Sequence, residues 1–497
     1  MKNGTYILLV TLCALCFQNK AQVYFNNRYD TFGSCDGASM IDTFNNKYLT
    51  GSFTCSSISF YALNLKLYNK NDGIVSANKT YNWSGNNFAN ANGIKKNNKY
   101  LLSGTRFYHN DTSLVFQWIF NKNLDSIKYT EYGYLNKGNV INHIVYDNDK
   151  HYYMVGQVYD NVYNSDVLLI KTDTAGNEIW KKKIGIAGID ETGMSIETLQ
   201  GDLIIAGYKT PHNANTFSGF VTRLDTAGNT IWNRPINTNY FGGGKAKKLK
   251  DGNILIYSQY KKYTSGSDDY GLLQVEKITP NNATLWSKQI GPIGINIGPS
   301  SAIENKHGNI VIDGQVGIPT NIVNGIVYEI AQNGDSIFSR EYAIMPGSQN
   351  YFRDMIQTDD GGYCFAGFAS PIFANGGTGT EDIWLLKVDS NFCESSASCG
   401  YGVGLAPLSF GEGLGVRLYP NPVNESLTLA WVEGEGIEPN TMVTIINSLG
   451  EIVLSPLSLG EGLGVRTINT SHLPSGLYYL SIKTKDKTMT RKIMIQK

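Results

Sequence analysis

Imidazoles and carboxylates are the side chains here that could carry out acid–base or metal chemistry. The chain has six histidines: His109, His143, His151, His212, His307 and His472. No two stand at metal-ligand spacing and no H-E-x-x-H occurs, so no metal site is indicated. Glycosidic hydrolysis would need two carboxylates converging on one site. Asp359-Asp360-Gly361 lacks the alternating acids of a calcium loop and reads as a hairpin turn. Gly411-x-Gly413-x-Gly415 has neither the spacing nor the strand-to-helix setting of a dinucleotide loop. No cofactor motif remains, and no catalytic residue is assigned.

Whether any of these groups meet depends on the elements that carry them. The octapeptide Asp173-Thr174-Ala175-Gly176-Asn177-Glu178-Ile179-Trp180 returns as Asp225-Thr226-Ala227-Gly228-Asn229-Thr230-Ile231-Trp232. Asp opens a turn and Gly-Asn supplies the positive φ needed where a strand doubles back. Weaker copies place the same turn at positions 73, 124, 176, 228, 282, 334 and 391, separated by 51, 52, 52, 54, 52 and 57 residues. An aliphatic strand ending in a small residue precedes each turn, as in Tyr153-Met154-Val155-Gly156, Ile204-Ile205-Ala206-Gly207 and Tyr363-Cys364-Phe365-Ala366-Gly367. A further short strand lies before each of these. Four antiparallel strands in about 50 residues, repeated, is the pattern of a propeller blade.

The expected fold is therefore all-β: a seven-bladed β-propeller of four-stranded blades over residues 22–395. Its seventh repeat has only three strands. Val23 to Tyr29 aligns with the fourth strand of repeat three, so this N-terminal strand is expected to close the last blade and cover both open edges. The inner strands start at Ser39-Met40, Asn92-Gly93, Asn142-His143, Met194-Ser195, Lys247-Lys248, Ser301-Ala302 and Arg353-Asp354. This makes His143, Lys247 and Asp354 the candidates for a ligand site at the channel mouth. Asp354 is the only carboxylate among those starts, which argues against acid–base chemistry there. Trp180, Trp232 and Trp286 recur at one position per repeat and read as inter-blade packing rather than sugar platforms. The Tyr-rich loops 159–163 and 260–270 are better placed for exposed contacts. Asp173-Thr174-Ala175 also matches a bacterial O-glycan acceptor pattern, but turn formation accounts for it.

Composition agrees with a turn-rich, aromatic-rich β protein. Lys+Arg and Asp+Glu are both 42, so no net charge points to nucleic acid. Lys2 and the apolar run Ile7–Phe17 read as a secretory signal over residues 1–21, cleaved at Ala21-Gln22. Leu12 and Leu15, before Cys13 and Cys16, do not suit a lipoprotein box. No later run reaches the ~18 apolar residues of a transmembrane segment. Cys35, Cys55, Cys364, Cys393 and Cys399 follow the leader, an odd number with pairing left open.

The strings "DGGYCFAGF…EDIWLLKVDSN" and "LLIKTDTAGNEIWKKKIG" resemble the Trp-containing propeller repeats of secreted bacterial proteins. The likeness covers about residues 23–395 and speaks to architecture, not ligand. Residues 396–417 form a small-residue linker. Its segment 407–417 recurs at 456–466 with ten of eleven residues identical, and the second copy reads as an insertion in a hairpin connection. Residues 418–497 alternate as a small β-sandwich. This tail resembles the type A C-terminal sorting domain of the type IX secretion system. The resemblance rests on Tyr419-Pro420-Asn421-Pro422, the turn at Gly450, the Gly476 and Tyr478 segment, and the basic–aliphatic end from Lys492 to Lys497. It implies recognition by the secretion machinery, periplasmic transit, and release or attachment at the cell surface. For the mature protein a glycan- or protein-binding, adhesion or scaffold role is the first expectation. A polysaccharide hydrolase or lyase is the rival, and a purely structural surface protein a third.

Overall fold

The computed structural model describes residues 23–30, 35–55, 61–81, 87–96, 98–108, 112–147, 150–160, 164–212, 217–236, 243–262, 270–291, 296–317, 322–371, 381–395, 416–419, 426–431, 441–447, 451–459, 465–483 and 488–495. Ala21, Gln22, Pro420, Asn421, Pro422, Gly450 and Lys497 lie outside them, as do Cys399 and most of both Tyr-rich loops. The described residues form strands and turns, with no helix.

Among the described residues, twenty-eight strands lie between Phe25 and Val388; they pair antiparallel in sets of four, and single parallel bridges, Gly271 to Asn296 and Val323 to Gln349, link the last three sets. The third set shows the plan. Gly138–Tyr146, His151–Tyr159, Ser165–Asp173 and Glu178–Ile184 pair in chain order. Residues 35–81, 87–132, 189–236, 245–290 and 296–342 repeat it. The last set holds Gln349–Gln357, Tyr363–Ser370 and Asp382–Val388. Its fourth strand is Phe25–Tyr29, antiparallel to Asp382–Val388, with Phe25 opposite Lys387 and Tyr29 opposite Ile383.

The octapeptide is the turn between third and fourth strands. Asp173 Oδ1 accepts from Ala175 N and Asn177 N, both at 2.8 Å, and Gly176 N donates to Asp173 O at 3.1 Å. Gly176 has φ +75°, a region that carries little penalty only for glycine. Positive φ recurs at Gly73, Leu124, Gly228, Asn282, Gly334 and Phe392. In the last copy it falls on Phe392, one residue after the expected Asn391.

The small residue that ends the second strand has a different cause. In most sets the first strand carries a β-bulge, where two of its residues oppose one. At the bulge its backbone folds onto the second strand. A Cβ on Gly367 would fall on the carbonyl oxygen of Tyr351, and one on Gly207 on that of Thr192. In the fifth set Ser258 replaces this glycine. Its first strand, Lys245–Lys248, is four residues long and shows no register shift.

Each apolar cluster joins two neighbouring sets. Leu49 and Leu65 of the first set meet Leu102 and Phe116 of the second, and the series continues around the chain. The last cluster joins Ile383, Leu385 and Cys364 to Ile41, Tyr48 and Tyr68 of the first set. A polar latch repeats the same step. Tyr132 OH donates to Gly176 O of the following turn at 2.7 Å, and Tyr342 OH to Phe392 O at 2.7 Å. Tyr81 bonds Leu124 O in the same way, and Tyr29 bonds Gly73 O. Where isoleucine takes the tyrosine position, the tryptophan substitutes: Trp232 Nε1 donates to Pro280 O at 3.0 Å and Trp286 Nε1 to Gln332 O at 2.8 Å. The contact from Tyr29 onto the first set is thus of the kind made at five of the other junctions, although Trp180 makes no such bond from the third set onto the fourth among the described residues.

Asp359-Asp360-Gly361 is a hairpin turn held by ion pairs. Lys70 Nζ lies 2.7 Å from Asp359 and Lys387 Nζ 2.9 Å from Asp360. Lys387 is only 1% exposed. Burial would raise the Asp360 pKa, yet hydrogen bonds from Thr358 and Lys387 hold it below the ordinary value.

The tail has two sheets. Val416–Tyr419, Ser426–Trp431 and Val465–Asn469 form one; Ile452–Leu459, Thr441–Asn447, Gly476–Lys483 and Thr488–Ile495 form the other. Leu427, Leu429 and Ile468 of the first share a buried cluster with Val443, Ile445, Leu480 and Ile493 of the second. Tyr419 and Lys492 lie in strands, Gly476 begins one, and Tyr478 is buried with its hydroxyl on Pro474 O at 2.9 Å. The repeated spacer is not a plain hairpin insertion. Leu457 to Leu459 extend a strand of one sheet and Val465-Arg466 begin a strand of the other.

The register sets Cys35 opposite Cys55. Cys364 and Cys393 are buried free thiols.

Candidate functional site

First strands of all the sets line a cavity of about 700 Å³. That lies within the roughly 300–1,000 Å³ of small-molecule sites. The bulges decide which side chains enter it. In Gln349–Gln357 the register shifts between Phe352 and Asp354, which leaves Arg353 unpaired in the ladder and lining the cavity. Asn142, Met194 and Ser300 sit at the corresponding shifts in their own strands.

All three candidates from the sequence line this cavity, and each is already held. The backbone of Ile196 brackets His143 Nδ1, with its N–H at 3.2 Å and its carbonyl at 3.1 Å. Burial, then the charges of Lys247 and Lys245, push the imidazole down to about 4, so it is neutral at physiological pH. Lys247 Nζ lies 2.8 Å from Glu197 Oε1, and that partner raises its pKa. Asp354 Oδ2 accepts from Ile41 N and Oδ1 from Met355 N, both at 2.9 Å. The first of these bonds ties the last set to the first. Related bonds run around the cavity. Asn92 Nδ2 donates to Asn142 O and Asn142 Nδ2 to Gly193 O, both at 2.8 Å. Ala246 N donates to Ser195 Oγ at 2.9 Å, Lys245 Nζ to Ser300 O, and Ser300 Oγ to Phe352 O at 2.8 Å.

Two expectations need correction. The fifth strand presents Lys245 where Lys247 was expected. Lys245 faces Tyr257, just as Ser195 faces Ala206 in the fourth set, and Lys247 lies two residues deeper beside Glu197. Asp354 is the only carboxylate among the strand starts but not in the cavity, which Asp42, Glu197 and Glu381 line too. Asp42 and Glu197 stand two residues beyond Met40 and Ser195. In a strand such residues share a face, so the period of two could have found them. Glu381 gave no such signal, because it precedes a third strand.

Asp313 lies behind this surface on Ile310–Gly317. It is 1% exposed and accepts from Ser301 N at 2.6 Å, while its Oδ2 has no hydrogen-bond partner among the described residues. Burial, then the charge of Asp354, pushes its carboxyl up to about 7, against the pull of Ser301 and Lys245. Burial likewise pushes Asp354 up to about 6. In the unfolded chain both groups titrate near ~3.9. Between that value and the folded one, the folded chain keeps protons that the unfolded chain has lost, so stability falls as pH rises through the window. We expect the urea midpoint to drop between pH 5 and pH 8, and to drop less in Asp313→Asn. Equal drops in the two proteins would contradict this assignment.

Among the described residues no group of three His, Cys, Asp or Glu could hold a metal ion. No described helix is long and apolar enough to cross a membrane.

Comparison with known proteins decides the tail. Residues 417–496 match the secretion system C-terminal sorting domain. The chain is cargo of type IX secretion, destined for the cell surface or the outside. No curated protein matches the chain. Solved structures similar to it include a protein of unknown function from Dyadobacter fermentans, at 9% identity and TM-score 0.42, covering 62% of this chain and 96% of that one. The β-propeller domain of the trilobed protease from Pyrococcus furiosus matches at 12% identity and TM-score 0.42, over 73% and 98%. An ulvan lyase of polysaccharide lyase family 25 matches at 7% identity and TM-score 0.45, over 73% and 96%. The fold is all-β with propeller-like neighbours.

Proposed function

We propose that the mature chain is a closed seven-bladed β-propeller, exported with a β-sandwich tail and acting at the cell surface as a binding or adhesion module. Residues 1–21 serve as its cleaved signal and residues 396–417 as a spacer. Ligand enters the mouth of the central cavity. One observation carries the reading: every set contributes its first strand to one polar cavity of about 700 Å³ in a chain that also bears a sorting tail. Latches, clusters and the Phe25–Tyr29 pairing support the closed ring.

The cavity carboxylates favour a second reading, a polysaccharide hydrolase. Against it stands their engagement. Both oxygens of Asp354 accept backbone hydrogen bonds, and Glu197 is paired with Lys247. Neither of these two carboxylates is a free acid or base. Release of reducing ends from a polysaccharide, lost in Glu197→Gln, would favour the enzyme.

A glycan and protein array probed with the secreted protein tests the binding reading. A ligand retained by wild type and lost by Ser39→Trp, which fills the cavity, is the expected result. A ligand held equally by both proteins would contradict it.

A further inference from the structure

We propose that Arg353 anchors an oxyanion, the carboxylate or sulfate of an acidic sugar, in the cavity; this rests on the cavity being the ligand site. Its placement is built rather than accidental. The bulge that Gly367 permits sets Arg353 out of the ladder. The guanidinium then lies 5.1 Å from the centroid of Phe368 and 5.7 Å from that of Tyr351. The two rings stack on each other at 4.7 Å with 25° between planes. Cation–π contact on such a platform holds the fork in one orientation without using its N–H donors.

Those donors are free to meet a ligand. Lys247 is paired with Glu197, and Lys245 is bonded to Ser300 O. Arg353 has no hydrogen bond or ion pair among the described residues, although it lines the cavity. The acids that face it are Glu381 and, deeper, Asp313, and neither forms an ion pair with it. An unpaired guanidinium with a fixed plane suits the bidentate geometry of carboxylate or sulfate. The surrounding lining mixes amides, hydroxyls and carboxylates with apolar side chains such as Met40, Met194 and Phe368, an amphipathic surface that suits a sugar, with its hydroxyls and apolar ring faces. Lys245 and Lys247 share the lining with Arg353, and Lys247 is neutralised by Glu197, which leaves the guanidinium as the cation open to a ligand.

Calorimetry on the full chain with trigalacturonate, galactotriose and an acidic peptide as probes tests the proposal. Trigalacturonate is expected to bind most tightly and to weaken as salt rises. Arg353→Gln should lose roughly 10- to 100-fold in affinity, the range for one charged hydrogen-bonding partner. Arg353→Lys should lose less, and the exposed Lys99→Gln should match wild type. Melting curves for each variant separate lost binding from lost folding. Galactotriose binding as tightly as trigalacturonate would overturn the anion assignment while leaving the cavity reading in place, provided Ser39→Trp abolishes both. Trigalacturonate binding that survives Ser39→Trp would take the cavity reading down with it. Unchanged affinity in Arg353→Gln, preference for the acidic peptide, or no binding of trigalacturonate would each overturn the proposal.

Discussion

Replacing Gly367 by alanine is expected to destabilise the chain by at least about 3 kcal/mol, the upper range for forced overpacking. The added methyl has nowhere to go. It would fall on the backbone carbonyl of Tyr351, and Tyr351 is the residue whose strand bulges at Arg353. A flexible side chain could move aside; a carbonyl bonded into a sheet cannot. Relief requires flattening the bulge, which would also shift Arg353 out of its position in the cavity. Gly188→Ala is the control. Gly188 has φ +82° but nothing within 4 Å of where an added methyl would sit, so only backbone strain of about 1–2 kcal/mol applies. Urea titrations of the two variants should differ by at least about 1 kcal/mol. Equal midpoints would show that the close approach at Gly367 is not what selects glycine.

Deleting residues 23–29 should have a larger effect still. The deletion uncovers the edge of Asp382–Val388 and removes Phe25 from the cluster it shares with Ile383, Leu385 and Tyr48. It strips Arg28 from Asp382, a carboxylate 1% exposed. It also removes the Tyr29 latch onto Gly73. Arg28 is itself 37% exposed, so its pair with Asp382 contributes about 1 kcal/mol or less on its own. With the strand and the latch, the loss reaches the order of a whole domain's stability, about 5–15 kcal/mol. The shortened chain should aggregate through its open edges. A soluble, cooperatively melting product would mean that the Phe25–Tyr29 strand does not close the ring. Tyr29→Phe, which removes only the latch hydroxyl, should cost about 1 kcal/mol in the same titration.

Much of this was legible because the repeat is physical. The turn needs a positive φ once per set, so Gly176 and Gly228 stand out, and the bulge needs a missing Cβ, so Gly156, Gly207 and Gly367 mark a second rhythm. Two independent steric demands with one period define the sets. Where chemistry replaces glycine, the signal fades. Leu124 and Phe392 take positive φ because their side chains are buried in the clusters beside them. The cavity was less legible. His143, Lys247 and Asp354 were found, but their bonds to Ile196, Glu197 and Ile41 join neighbouring sets and cannot be read from either strand alone. Asp42 and Glu197 were missed by counting one position per strand rather than following the face. Arg353 was visible as a letter at the start of its strand, but not as an unpaired cation on stacked rings. That property depends on Tyr351 and Phe368 meeting across the ladder.

The most direct test is the fate of a chain ending at residue 417, expressed in a host with a working type IX system and located by cell fractionation and surface proteolysis. The sorting tail, residues 417–496, is what directs the chain to the surface or the outside. The account predicts that the intact chain reaches the surface or the medium, and that the shortened chain is retained inside the cell envelope, folded and protease-resistant. Arrival of the shortened chain at the surface would contradict it.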